Sequence, residues 1–216
     1  MTRAVLLDLD GTLIDSRPGI GASFAAALEA LGHTPDPAVD VTALIGPPLP
    51  EVIRRLLLHH GDDRIEEGIA AYRAHYGTVG MHQATLYPGV AEAVDNLAAA
   101  GARCFVATSK RTVYATQIVR AQVLARNIQG VYGTEPDGSL DDKAHLVAAV
   151  LRAEGLSVSD TIMIGDRSHD IIAAHANGLR AIGVLWGYGS RAELEAAGAD
   201  ALVNAPAELA GVISAK

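Results

Sequence analysis

VLLDLDGTLIDS occupies residues 5–16. Its apolar start stops on Asp8, and Asp10 and Gly11 follow at once. A short apolar run that ends at a turn signal reads as a strand buried on both faces. Residues i and i+2 of a strand point to one side, so Asp8 and Asp10 should converge and repel. A chain that places two acids at the exit of a buried strand therefore needs something to hold them there.

The rest of the chain supplies the sheet. Apolar runs resembling AVLLDL (4–9) recur as RCFVAT (103–108), NIQGVYG (127–133), TIMIG (161–165) and RAIGVLW (180–186), with ADALVN (199–204) as an edge candidate. Helical patterns lie between most of them, at 89–100, 111–125, 141–154, 168–177, 190–197 and 206–213. Strand alternating with helix predicts an α/β protein with a doubly wound, Rossmann-like parallel sheet covered on both faces. The breakers agree: Pro88-Gly89 opens one helix, Gly101 follows its end, and Ser168 can cap a helix that Asn177-Gly178 stops.

One region breaks this rhythm. No convincing strand lies between Asp15 and Tyr87, where 19–32, 50–61 and 63–77 read as amphipathic helices around a proline-rich joint, GPPLP (46–50). About seventy residues without a strand are too many for a loop. They are expected to form an all-helical subdomain at 16–84, inserted into a catalytic core made of 1–15 and 85–216.

Composition narrows the function. With 216 residues, half of them apolar, the chain can bury a sizeable core. A formal net charge of −8 argues against a nucleic acid polymer or an anionic membrane as the main partner. The single cysteine, Cys104, excludes an internal disulfide and fits a reducing cytoplasm, its simplest reading being a small buried hydrophobe. No secretory signal or membrane-spanning apolar run is read.

Open α/β sheets bind ligands outside the carboxyl ends of their strands. Three exits there carry chemistry: Asp8 with Asp10, Gly11 and Thr12; Thr108-Ser109-Lys110; and Gly165-Asp166-Arg167 with Asp170. Repulsion between Asp8 and Asp10 can be met by a divalent cation, with Asp166 as third carboxylate and hard oxygen ligands favouring magnesium. It can also be met by a proton kept on one acid, which then serves as a general acid. An enzyme needing a nucleophile, an acid and a metal would use both.

DLDGTLIDS, TSK (108–110), a later lysine and GDRSHD (165–170) together resemble the haloacid dehalogenase superfamily. Within it the chain is similar to phosphoglycolate-phosphatase-like phosphatases with a helical cap inserted after the first strand. IGPPL (45–49), LYPGV (86–90) and VLWGYGS (184–190) extend the likeness over essentially the whole chain. The resemblance implies Asp8 as the nucleophile that becomes an aspartyl phosphate, and Asp10 as the acid, then the base. It implies Thr108 as a hydrogen-bond donor to the phosphoryl group and a lysine that neutralises charge. Of Lys110, Lys143 and Lys216, Lys143 in SLDDKAHL stands where the family's third motif belongs, although Ala144 replaces the usual proline; the last residue, Lys216, is expected to fray. Magnesium would be held by Asp8, the Asp10 carbonyl and Asp166, with Asp170 orienting its shell. Gly11, Ser109 and Lys110 at the rim, and Gly46 in the cap, are assigned to the substrate.

Asp10 separates phosphatases from the family's dehalogenases, which lack this second aspartate. The expected activity is magnesium-dependent hydrolysis of a small phosphorylated metabolite, phosphoglycolate- or nucleoside-monophosphate-like, by a monomer or homodimer. The alternatives are a sugar-phosphate phosphomutase and a non-catalytic binding module on the same fold. The eight histidines, among them His59, His60, His75, His82, His169 and His175, show no zinc spacing and read as surface or packing residues. Arg167 is a candidate for the metal's surroundings, Arg17 for the substrate, and Arg54 for a solvated helix face.

Overall fold

The computed structural model describes residues 4–214; Lys216 lies outside them. In chain order the elements are β1 (Ala4–Leu7), β2 (Ile14–Asp15), α1 (Arg17–Ala30), α2 (Leu49–Leu58), α3 (Ile65–Thr78), β3 (Thr85–Leu86), α4 (Val90–Ala99), β4 (Arg103–Arg111), α5 (Thr112–Ala121), β5 (Ile128–Thr134), α6 (Lys143–Glu154), β6 (Thr161–Gly165), α7 (Ser168–Ala176), β7 (Arg180–Val184), α8 (Arg191–Ala196), β8 (Ala201–Val203) and α9 (Leu209–Ser214). They divide into two compact units, one from the chain up to Asp15 and from Leu86 onward, the other Ser16–Thr85.

The first unit is built on a six-stranded sheet in the order β5-β4-β1-β6-β7-β8, parallel throughout. The chain builds from β1 outward through β4 to β5, then returns to the other side of β1 with β6. The switch point, where ligands bind in such sheets, therefore lies between β1 and β6. Alternate residues feed the two faces. Ala4, Leu6, Phe105, Ala107, Met163 and Ala181 pack with Val147, Val150, Ile171, Ala174 and Leu194 from α6, α7 and α8. Val5, Leu7, Cys104, Val106, Ile162 and Ile164 point the other way and are equally buried. Burial on both faces explains why these strands read as unbroken apolar runs. It also pushes the Cys104 thiol pKa up to about 11.

At several points the structure departs from the sequence reading. β1 stops at Leu7 and not Leu9, because the Leu9 carbonyl already accepts from the amides of Leu13 (2.9 Å) and Ile14 (3.0 Å) in a turn. β4 continues to Arg111, past the expected end at Thr108, through a bulge: Ala107 faces Tyr132 and Arg111 faces Thr134, so four steps on one strand match two on the other. A strand also lies where none was expected, since Thr85–Leu86 forms a two-stranded sheet with Ile14–Asp15. Two residues are too few to show a period of two.

The second unit contains three α-helices, with α1 and α2 packed on α3. Its core holds Phe24, Leu28, Ile53, Leu57, Ile69 and Tyr76. Tyr72 sits with its ring 4.6 Å from Phe24 and 5.6 Å from Tyr76. The start of α1 comes so close to Gly80 that a Cβ on Gly19 would stand 1.9 Å from the Gly80 carbonyl oxygen. His33 pairs with Asp62 at 2.6 Å, and the buried Ser23 hydroxyl contacts His75 Nδ1 at 2.9 Å. Both histidines are thus held by polar contacts within this unit.

Candidate active site

The site is assembled where β1 and β6 end. The Asp8 amide donates to the Ile164 carbonyl at 2.9 Å, so the ladder runs one residue past β1 and fixes Asp8 beside the end of β6. The chain then turns through Gly11, whose φ is +87°. A Cβ there would stand 2.2 Å from Asp166 Oδ2. Glycine is required twice over, by the left-handed backbone and by the carboxylate pressed against it.

Each acid of the opening pair meets its own lysine. Lys143 opens α6, which is capped by Asp142 accepting from the His145 amide at 2.9 Å. Its Nζ lies 2.7 Å from Asp8 Oδ1 and also pairs with Asp170 Oδ1. Lys110 Nζ lies 2.9 Å from Asp10 Oδ2, and the other Asp10 oxygen is buried without a hydrogen-bond partner. The carbonyl of Ala144 accepts from Asn177 Nδ2 at 2.9 Å.

From β6 come Asp166 and Asp170, both buried. Asp166 accepts from Thr12 Oγ1 at 3.1 Å through Oδ1 and from the Tyr188 amide at 2.7 Å through Oδ2. Asp170 stands at the third position of α7, and its Oδ2 accepts from the Arg167 amide at 3.0 Å. Glycines make room for both: a Cβ on Gly165 would stand 2.1 Å from Asp170 Cγ, and one on Gly189 1.9 Å from the Asp166 carbonyl oxygen. The Arg167 guanidinium turns to Glu193 at 2.9 Å, and the same Glu193 oxygen accepts from the Ser168 amide at 2.9 Å. Glu193 thereby ties α8 to the first turn of α7. Burial raises the Glu193 pKa, but the Ser168 amide and Arg167 outweigh it and hold the carboxyl below the usual range.

Asp8, Asp166 and Asp170 bring carboxylate oxygens within 4.8 Å of one another. Burial pushes the Asp8 pKa up to about 8, opposed by Lys143 and reinforced by Asp170 and Asp166. Burial likewise pushes Asp166 up to about 7, reinforced by Asp170 and opposed by the Tyr188 amide and Thr12. Burial alone would lower the Lys143 pKa, but Asp170 and Asp8 overcome it and raise it. Three carboxylates against one ammonium leave a net formal charge of two negative units among buried side chains. That donor set suits a hard divalent cation.

The remaining rim residues are distributed as follows. Thr108 is buried at the bulge, and its hydroxyl accepts from the Lys110 amide at 3.2 Å, which leaves its proton to donate. Ser109 is exposed, and its carbonyl accepts from Thr134 Oγ1 at 3.4 Å. Gly46 belongs to the second unit, exposed with φ +118°. His169 is exposed on α7. Thr12, Trp186, Tyr188 and Glu193 had no assigned role from sequence, although VLWGYGS was noticed; Trp186 Nε1 donates to the Thr12 carbonyl at 3.0 Å. Their contacts join positions up to 174 apart, which no local pattern announces.

Residues 5–184 match the family described as haloacid dehalogenase-like hydrolase. A 5'-nucleotidase of Pseudomonas aeruginosa is 37% identical over 194 residues, covering 89% of this chain and 86% of that protein. The tyrosine-protein kinase PtkA of Mycobacterium tuberculosis is 38% identical over 186 residues, covering 86% of this chain but 62% of that protein's length. The crystal structure of a predicted phosphatase from Clostridium acetobutylicum is 34% identical and superposes with a TM-score of 0.86, covering 99% of this chain and 98% of that one.

Proposed function

Starting from a chain that belongs to the haloacid dehalogenase-like hydrolases and is a phosphoric monoester hydrolase, we propose that it hydrolyses a small phosphate monoester in two steps through Asp8, with magnesium bound. The observation that carries this reading is the buried Asp8–Asp166–Asp170 cluster with Lys143 at the switch point. Asp8 attacks phosphorus as the ester P–O bond breaks, and Asp10 gives its proton to the departing alkoxide. Asp10 then takes a proton from water, which attacks the phosphoryl group on Asp8 and frees the carboxylate and inorganic phosphate. Thr108 donates to a phosphoryl oxygen, while Lys143 favours the ionised form of Asp8 against its burial and offsets charge on the phosphoryl group.

Asp8, Asp166 and the Asp10 carbonyl would hold magnesium, with Asp170 fixing its shell. Bound there, the ion supplies the positive charge that lets the crowded carboxylates ionise together and that neutralises phosphoryl oxygens. Gly11, Ser109 and Lys110 are proposed to line the phosphate's approach. The helical unit is proposed as a cap, with Gly46 among its substrate contacts.

The Pseudomonas aeruginosa relative supports nucleoside monophosphates as the first substrates to try. Phosphoglycolate belongs beside them. The decisive assay is release of inorganic phosphate from a panel of both, with sugar phosphates, in magnesium or in chelator. Magnesium-dependent release with one substrate well ahead is expected; sugar-phosphate isomers without phosphate would favour a mutase. The likeness to PtkA supports a second reading, phosphoryl transfer to a tyrosine, and phosphotyrosine formed on adding ATP and a tyrosine-containing peptide would bear it out.

A further inference from the structure

Asp166 is gripped at both oxygens, and the two grips come from segments far apart in the chain. Thr12, in the turn after β1, holds Oδ1; the Tyr188 amide, in the loop after β7, holds Oδ2. These segments share no secondary structure. They meet through Trp186, whose indole N–H donates to the carbonyl of the same Thr12 whose hydroxyl binds Asp166. A ring closes: Asp166, Thr12, Trp186, then two peptide steps to Tyr188, and back to Asp166. Gly187, between Trp186 and Tyr188, lies so close that a Cβ would stand 2.4 Å from the Gly11 carbonyl oxygen and 2.3 Å from Asp166 Cβ.

We propose that Trp186 is a positioning residue for Asp166, acting through its indole N–H to hold Thr12 and Tyr188 in register and so set the angle at which that carboxylate meets a divalent cation. A carboxylate held at one oxygen can swing about its Cβ–Cγ bond, whereas one held at both cannot. A fused ring turns on two side-chain dihedrals, so the link is stiff. Partners that orient a ligand in this way are worth about 10- to 100-fold in metal affinity.

The inference rests on the magnesium reading, so the test begins with the unaltered protein. Magnesium alone is titrated calorimetrically into phosphate-free protein, then into Trp186→Phe. Because the chain has a single tryptophan, it can also be replaced uniformly by the benzothienyl analogue, which keeps the bicyclic shape and lacks the N–H. The expected result is a Kd for magnesium raised about 10-fold in both, with lost phosphatase activity rescued by added magnesium. Unchanged affinity in the analogue protein would overturn the positioning role and leave the functional reading intact; the analogue also decides if Trp186→Phe does not fold. Activity loss that magnesium does not rescue would overturn it too. No magnesium binding by the unaltered protein would remove both this inference and the metal from the proposed function.

Discussion

At the scale of single residues the site is an exercise in holding charge out of water. Asp8 is needed as an anion, yet burial favours its proton. Asp8→Asn removes the proposed nucleophile and one of three crowded charges. It is expected to cut phosphate release by on the order of 10⁴-fold or more while the circular dichroism spectrum stays native. Gly11→Ala imposes a left-handed backbone on a residue with a Cβ and drives that Cβ into Asp166. A loss of about 2–4 kcal/mol in urea unfolding is expected, together with weaker magnesium binding. The acids were legible in the sequence because they stand at strand exits, and Lys143 because its segment resembles the family's third motif. The lysine partner of Asp10 and the grip on Asp166 were not, because they are made by distant segments.

Among elements, the loops after β1 and β7 supply the hydrogen bonds that hold Asp166. The bulge in β4 lets Thr108 and Lys110 reach the rim while Arg111 rejoins β5. The strands were readable because sheet faces covered by helices on both sides demand continuous apolar runs. The bulge was not, since it depends on where β5 sits, and the β2–β3 pair is too short to leave a pattern. The join between α7 and α8 belongs to this scale. Glu193→Ala strips the partner from the Ser168 amide and from Arg167, loosening the first turn of the helix that carries Asp170. A loss of about 1 kcal/mol is expected from chemical denaturation, since the carboxylate is partly exposed. Faster hydrogen exchange at the Ser168 amide should accompany it.

For the whole molecule, the charge cluster makes stability depend on pH. Asp8 and Asp166 hold protons up to about 8 and about 7 in the folded state, against an ordinary value of 3.8. Between these limits the folded state binds more protons than the unfolded chain, so this contribution to stability falls as pH rises from about 4 to about 8. A divalent cation relieves the repulsion that opens as the protons leave. Magnesium is therefore expected to raise Tm more at pH 8 than at pH 5, by about 3 °C or more, as differential scanning calorimetry would show. The same geometry also sets when the protein can first act. Thr12 and Trp186 are 174 positions apart, and so are made at very different moments of synthesis. At about 5–20 residues per second, roughly 10–35 s pass between them on the ribosome. Throughout that interval the nascent chain carries Asp8 and Asp10 without the segment that ties Thr12 to the loop holding Asp166.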